Sequence, residues 1–186
     1  NSWDPAIIEK HMQQMNRALI DALAVSWWYD PKPNRFNSTL DTIYEKAVAH
    51  NLKITIDYEH GGAPLDTVYH DLFYFLNRYK DHPAMLKVEG QPVVMVWTAW
   101  GHTPAEWQEV FDKLEQAGIR AFPIMSGSYQ NGKGKEYLGP FRALEEYTLV
   151  DIEDCQLAEF MQTMRGHIDD YNRTQGFQNG KPAQHH

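Results

Sequence analysis

Cysteine is almost absent from this 186-residue chain: Cys155 stands alone, so no disulfide forms within the chain and the redox compartment stays open. No apolar run approaches the roughly 20 residues that a membrane-spanning helix needs, and the opening residues lack the charged-then-apolar pattern of a signal peptide. A soluble chain without membrane insertion is expected. Positive charge is also short, with 17 Lys and Arg against 25 Asp and Glu and a formal charge of −8. Nucleic acids and anionic membranes are bound by clustered Lys and Arg, so a neutral partner fits better.

Several reaction motifs are missing too. Asp57, His60 and His70 show no H-E-x-x-H or comparable ligand spacing, so neither a metal nor another cofactor is expected. "GSYQNGKGKEYLG" (127–139) lacks the G-x-x-x-x-G-K-[ST] order of a phosphate-binding loop and reads as a surface loop. Ser126-Gly127 is not a nucleophile elbow, because G-x-S-x-G is absent, and Cys155 has no evident base partner.

What is present is a packed chain, 42% hydrophobic and 13% aromatic, long enough for one domain over 1–186. Asp4-Pro5 opens a helix whose apolar face is Ile8, Met12, Met15 and Leu19. "ALAVSWW" (22–28) reads as a strand buried on both faces, followed by a Pro- and Asn-rich loop. Ser38 with Asp41 imitates a capping box ahead of a helix to Asn51, and "KITIDYE" is the next strand. A helix to about Tyr79 leads into the strand "PVVMVWT" (92–98). Thr103-Pro104-Ala105-Glu106 then caps a helix that ends at Gly118. "IRAFPIM" (119–125) follows, with Pro123 expected at an edge or bulge. A short helix near 140–146, the strand "YTLVDI" (147–152) and an amphipathic helix ending at Gly176 complete the pattern.

Five strands alternating with helices predict an α/β fold with a parallel sheet and right-handed crossovers. A closed (β/α)8 barrel takes about 250 residues, so the expectation is either an open sheet or a partial barrel of about five strands. Open strand edges would favour a covering element or assembly with another copy.

Ligands collect at the carboxyl ends of such strands. Those ends offer Ser26, Trp27, Trp28 and Tyr29; Asp57, Tyr58, Glu59 and His60; Trp97, Thr98 and Trp100; Ser126 and Tyr129; and Asp151, Glu153 and Asp154. Aromatic faces beside carboxylates suit a sugar, whose C–H face stacks on a ring while its hydroxyls meet charged acceptors. Trp27, Trp28, Asp57, Glu59, Trp97, Asp151 and Glu153 are therefore the candidate substrate-binding residues. Asp57 and Glu59, two apart on one strand, share a face at about 6.5–7 Å and are the candidates for acid–base work. The competing reading gives both carboxylates to helix caps or surface ion pairs, and either Trp27 or Trp28 to the helix layer.

The stretches "LAVSWWYDP", "LKITIDYEHGG", "TVYHDLFYFLNRYKDHPAMLKVEGQPVVMVW" and "YTLVDIED" together resemble glycoside hydrolase family 99, endo-acting α-mannosidases and α-mannanases on a (β/α)8 barrel. The resemblance implies an α-mannoside-like glycan as partner, with Trp27 stacking on the sugar. Glu59 falls on the glutamate of the family's "HIEPY"-like sequence. Asp57 replaces the family's histidine and His60 its proline, which puts the sugar contact there in doubt. The family's catalytic glutamates belong to a later "NEWHEG"-like segment and work with the substrate's 2-hydroxyl. No such segment is recognised here, and Glu153 and Glu159 are six apart. The resemblance thus implies a fragment of a larger glycosidase barrel, one that carries sugar contacts without the catalytic pair. The compartment is left open, with a secreted or periplasmic setting suggested by the family. The alternatives are a non-catalytic carbohydrate-binding or scaffold domain, and an independent acidic centre of Asp57, Glu59, Asp151 and Glu153.

Overall fold

A computed structural model describes residues 3–29, 35–126 and 134–145, with isolated positions at 162, 165–166, 177–178 and 181–182. The strand expected at 147–152 and the helix after it fall outside these residues.

Helix α1 (Pro5–Arg17) starts as its sequence dictates: the Asp4 carboxylate accepts a hydrogen bond from the Ala6 amide at 2.8 Å, and Pro5 occupies the first turn. Ile8 and Met12 are buried, but Leu19 lies beyond the helix with φ +59 and is 87% exposed, not on the apolar face assigned to it. Strand β1 (Ala22–Trp27), helix α2 (Arg35–Ala49), strand β2 (Lys53–Glu59) and helix α3 (Leu65–Tyr79) follow. Because α2 begins at Arg35, Ser38 lies inside it and is no cap; Asp41 instead takes a paired contact from Arg78 of α3. A two-residue strand β3 (Lys87–Val88) turns through Glu89 and Gly90, both at positive φ, into β4 (Gln91–Trp97). Helix α4 (Pro104–Gln116) has the complete Thr103/Glu106 capping box, and Gly118 at φ +80 allows the chain to leave it. Strand β5 (Phe122–Ser126), helix α5 (Gly134–Tyr137) and strand β6 (Ala143–Glu145) close the main body. The helix expected at 140–146 is therefore corrected: residues 143–145 are strand. A separate two-residue hairpin pairs Phe177 with Pro182.

The parallel strands run in the order β1-β2-β4-β5-β6, with β3 antiparallel beside β4. Among the described residues this sheet is open, with β1 and β6 at its edges, as in a partial (β/α)8 barrel. Pro123 is accommodated inside it. A strand residue turns its N–H and C=O to the same neighbour, and the Pro123 carbonyl accepts from the Arg142 amide at 2.9 Å. Its missing donor thus faces β6 one residue before β6 pairing begins, at Ile124.

Among the described residues, the helices cover one face. Trp27, Ile54, Ile56, Tyr58, Val94, Val96 and Met125 point into them and are nearly inaccessible. Trp27 packs on Tyr58 and Phe75, and Tyr44 stacks on Tyr79 with ring centroids 4.2 Å apart. Buried polar tips find partners: the Tyr58 hydroxyl donates to Asp71 at 2.6 Å, and the Trp107 indole to the Ala99 carbonyl at 2.7 Å. The other face is less covered. Ala24 and Ser26 of β1 are exposed, so β1 is not buried on both sides as its apolar composition suggested.

Trp107 is fully buried against Phe111, Phe141 and His102. Trp107→Ala is expected to lower stability by about 3–5 kcal/mol, from lost transfer energy and a residual cavity. Urea unfolding checks this, and a loss below about 1 kcal/mol would contradict the packing. Gly101 permits a close approach: a Cβ there would sit 2.8 Å from Cε1 of His60. Gly101→Ala should therefore displace the buried His60 ring, seen as a changed histidine NMR spectrum with reduced melting temperature.

Candidate functional site

Strand periodicity builds the candidate site. Residues in register across a parallel sheet face the same side. One row therefore joins Ser26, Asp57, Met95, Ile124 and Ala143, and the next joins Glu59, Trp97, Ser126 and Glu145. All lie on the face opposite the helices, toward the carboxyl ends of the strands. The sheet curves strongly toward that side. Asp57 on β2 and Ser126 on β5 are separated by the whole of β4, yet Ser126 Oγ lies 3.4 Å from Asp57 Oδ2. Adjacent strands stand about 4.8 Å apart, so only a concave surface brings these side chains together.

Three carboxyl groups meet there. Ser26 Oγ donates to Glu59 Oε1, and Ser126 Oγ lies 2.7 Å from Glu145 Oε2. Asp57 is 5% exposed, and its Oδ1 has no hydrogen-bond partner among the described residues. Burial, then the neighbouring charges of Glu145 and Glu59, push the Asp57 carboxyl up to about 6, with the Ser126 hydroxyl acting in the opposite sense. Asp57 thus keeps its proton into the mildly acidic range. A carboxyl whose proton is held this way, beside others hydrogen-bonded by serines, is equipped to donate or accept a proton and to orient hydroxyl groups.

The rim loops are braced from behind. His60, immediately after Glu59, is buried; its Nδ1 accepts from the Gly62 amide at 3.2 Å and its Nε2 lies 3.2 Å from the Thr98 carbonyl. Burial, and more weakly the charge of His102, lower the His60 pKa, with the Thr98 contact opposing. His102 reaches back to the Ala63 carbonyl at 2.9 Å, and the Tyr137 hydroxyl donates to the His102 carbonyl at 2.8 Å. The loops after β2 and β4 are thereby tied together beside Glu59 and Trp97.

The structure brings together only part of the expected set. Asp57, Glu59 and Trp97 share the concave face, and Trp28, 39% exposed, follows Ser26 two residues on. Trp27 is a correction. Its register partner is Tyr58, so it points into the helix layer, is 1% exposed and donates from its indole to Asn37 Oδ1 at 3.2 Å; it does not share the face of Glu59. Asp151 and Glu153 lie outside the described residues. Glu145 is absent from the expected set because 140–146 reads as a helix: Ala143, Leu144 and Glu145 are all helix formers, and no local signal marks them as strand. In α4, Glu106 closes the capping box, Trp107 is core and Glu109 pairs with Lys113. Among the described residues no three acidic, cysteine or histidine side chains form a metal-binding group, and no helix is long and apolar enough to cross a membrane.

The model of "Glycosyl hydrolase family 99" matches residues 1–185. The glycoprotein endo-alpha-1,2-mannosidase of Rattus norvegicus is 28% identical over 195 residues, covering 99% of this chain and 38% of the rat protein. The present chain therefore spans well under half of that relative. Among solved structures, the GH99 endo-alpha-mannosidase from Bacteroides thetaiotaomicron superposes with a TM-score of 0.76 at 19% identity, over 95% of this chain and 52% of the other. Its complex with bis-tris propane gives 0.73 at 20%, over 90% and 55%. At such identities the superpositions establish the fold, a part of the family's barrel. Matched over nearly its whole length and folded as that part, the chain belongs to glycosyl hydrolase family 99.

Proposed function

We propose that this chain supplies sugar-contacting surface to a glycoside hydrolase-like protein acting on α-mannoside-type glycans, with the concave rim as the floor of the cleft. The observation that carries this reading is the meeting of Asp57, Glu59 and Glu145 with Trp97 on one curved face. Trp97 and Trp28 offer stacking faces for a pyranose, and Glu59, oriented by Ser26, accepts from sugar hydroxyls. Asp57, holding a proton up to about pH 6, is able to donate where Glu59 accepts. Asp57 and Glu59 remain the candidate catalytic groups within these residues. Membership in a family whose rat relative is an endo-alpha-1,2-mannosidase favours the α-mannoside as substrate.

Titrating α-1,2-mannobiose against tryptophan emission tests the reading. Saturable quenching or enhancement is expected, and no change at millimolar sugar would remove it. Glu59→Gln is expected to weaken binding about tenfold or more, through loss of a charge-assisted acceptor, with the melting temperature nearly unchanged. A steep fall in melting temperature would instead make Glu59 a structural group. Release of mannose-containing product distinguishes a hydrolase from a carbohydrate-binding domain built on the same rim.

The Asp57 carboxyl also gives a stability signature. Its folded-state pKa of about 6 lies above the ordinary value of 3.8, so the folded state binds the proton more tightly. Its stabilising contribution is complete below pH 4 and is lost as pH rises through 6. Asp57→Asn should gain on the wild type by about 2–3 kcal/mol between pH 4 and 7.5, measured as the difference of two urea-unfolding series. Parallel pH profiles for the two proteins would show that Asp57 is not held in this way.

A further inference from the structure

Ser126, at the end of β5, has no exposed surface and stands between two carboxyl groups. Its Oγ lies 2.7 Å from Glu145 Oε2 on β6 and 3.4 Å from Asp57 Oδ2 on β2. A serine hydroxyl carries one proton and two lone pairs, so it donates to one partner and accepts from any other. The shorter contact takes the serine proton, and the hydrogen that bridges the longer one then comes from Asp57. Asp57 is suited to supply it, because its burial and the charges of Glu145 and Glu59 hold the proton in place up to about pH 6. Among the described residues, those two are the charged groups acting on it; the neighbouring strands contribute the uncharged Ser26, Met95, Trp97 and Ser126. Asp57 Oδ1 is buried and Oδ2 is turned to Ser126, so Asp57 presents no proton to the cleft directly. Glu145 is only half-buried.

We propose that Ser126 is a proton relay between Asp57 and Glu145, which delivers the proton of the buried acid to the cleft at Glu145, in the same row as Trp97. This deepens the sugar-cleft reading and rests on it for the use to which the proton is put. In the relay step the Asp57 Oδ2–H bond breaks as a new O–H bond forms on Ser126 Oγ, and the original Ser126 O–H bond breaks as its proton passes to Glu145 Oε2. Asp57 ends as the carboxylate, Glu145 as the neutral acid and Ser126 again as a hydroxyl, so protons and charge balance without a co-reactant. Ser126, fully buried, touches no ligand; it is a positioning residue that acts through Glu145. Glu59 stands outside the relay, because the hydroxyl it accepts from is that of Ser26.

The test follows the side-chain carboxyl carbon NMR signals of Asp57, Glu59 and Glu145 from about pH 4 to 8, in the whole chain and without sugar. As Asp57 loses its proton near pH 6, the Ser126 hydroxyl passes from one acceptor to a choice of two, and the Glu145 signal is expected to show a second inflection at the Asp57 midpoint. Glu59 feels Asp57 through charge alone, so its inflection there should be several-fold smaller. Ser126→Ala leaves the charges in place and removes the hydroxyl, and the second inflection of Glu145 should then shrink to the size of that at Glu59. Equal inflections at Glu59 and Glu145 in the wild type, a comparison that needs no variant to fold, overturn the relay. So does a Glu145 inflection that Ser126→Ala leaves unchanged, since charge repulsion would then account for it. Because no sugar enters, the two readings fail separately: an intact relay with tryptophan emission silent to α-1,2-mannobiose removes the sugar reading alone, and mannobiose binding without the second inflection removes the relay alone.

Discussion

The two-residue period of β2 is the constraint on which the rest depends. Along Lys53–Glu59 it sends Ile54, Ile56 and Tyr58 to the helices and Asp57 and Glu59 to the concave face, without any freedom to exchange them. The apolar set anchors the strand between α2 and α3, where Tyr58 also donates to Asp71. Because that burial fixes the register, the carboxylates are presented toward the rim whatever their own cost. A slip of one residue would bury both acids among aromatic rings and expose two isoleucines.

Curvature then decides which acids meet. On a flat sheet, Asp57 and Ser126 would lie two strand spacings apart; on this one they are 3.4 Å apart. The arrangement crowds like charges, and the fold answers with hydroxyls in place of lysines. Ser26 serves Glu59 and Ser126 serves Glu145, with a longer contact to Asp57, whose burial and charged neighbours outweigh that hydroxyl and keep its proton in place above the ordinary carboxylate range. One strand-end cluster thus sets a buried carboxyl beside two others bound by serine hydroxyls.

Support for the rim comes from the helix side. The buried His60 ring fills the space that a side chain at Gly101 would need, and with His102 it ties the loop after β2 to the loop after β4. Trp107, beneath both histidine rings, links this brace to the core around Phe141. The positions of Glu59 and Trp97 are consequently set by packing on the helix-bearing side, which is how a loop-rich rim keeps a defined shape.

Much of this was legible in the residues themselves. The caps at Asp4 and Thr103, the glycine exit at Gly118, the strand "KITIDYE" and the alternation of strands with helices follow from local chemistry, and local chemistry survives folding. The shared face of Asp57 and Glu59 follows from strand period alone. Other features were not local. The choice between Trp27 and Trp28 depended on the register of β1 against β2, which places Trp27 beside Tyr58. The role of Glu145 depended on three residues becoming a strand by pairing with β5, against a helical reading of the same segment. Sequence by itself determined most elements up to β5 and the acid-bearing strand, because period and capping act over a few residues; only the tertiary structure decided that 143–145 is a strand and which acids, serines and rings converge, because strand pairing and sheet curvature act between segments far apart in the chain.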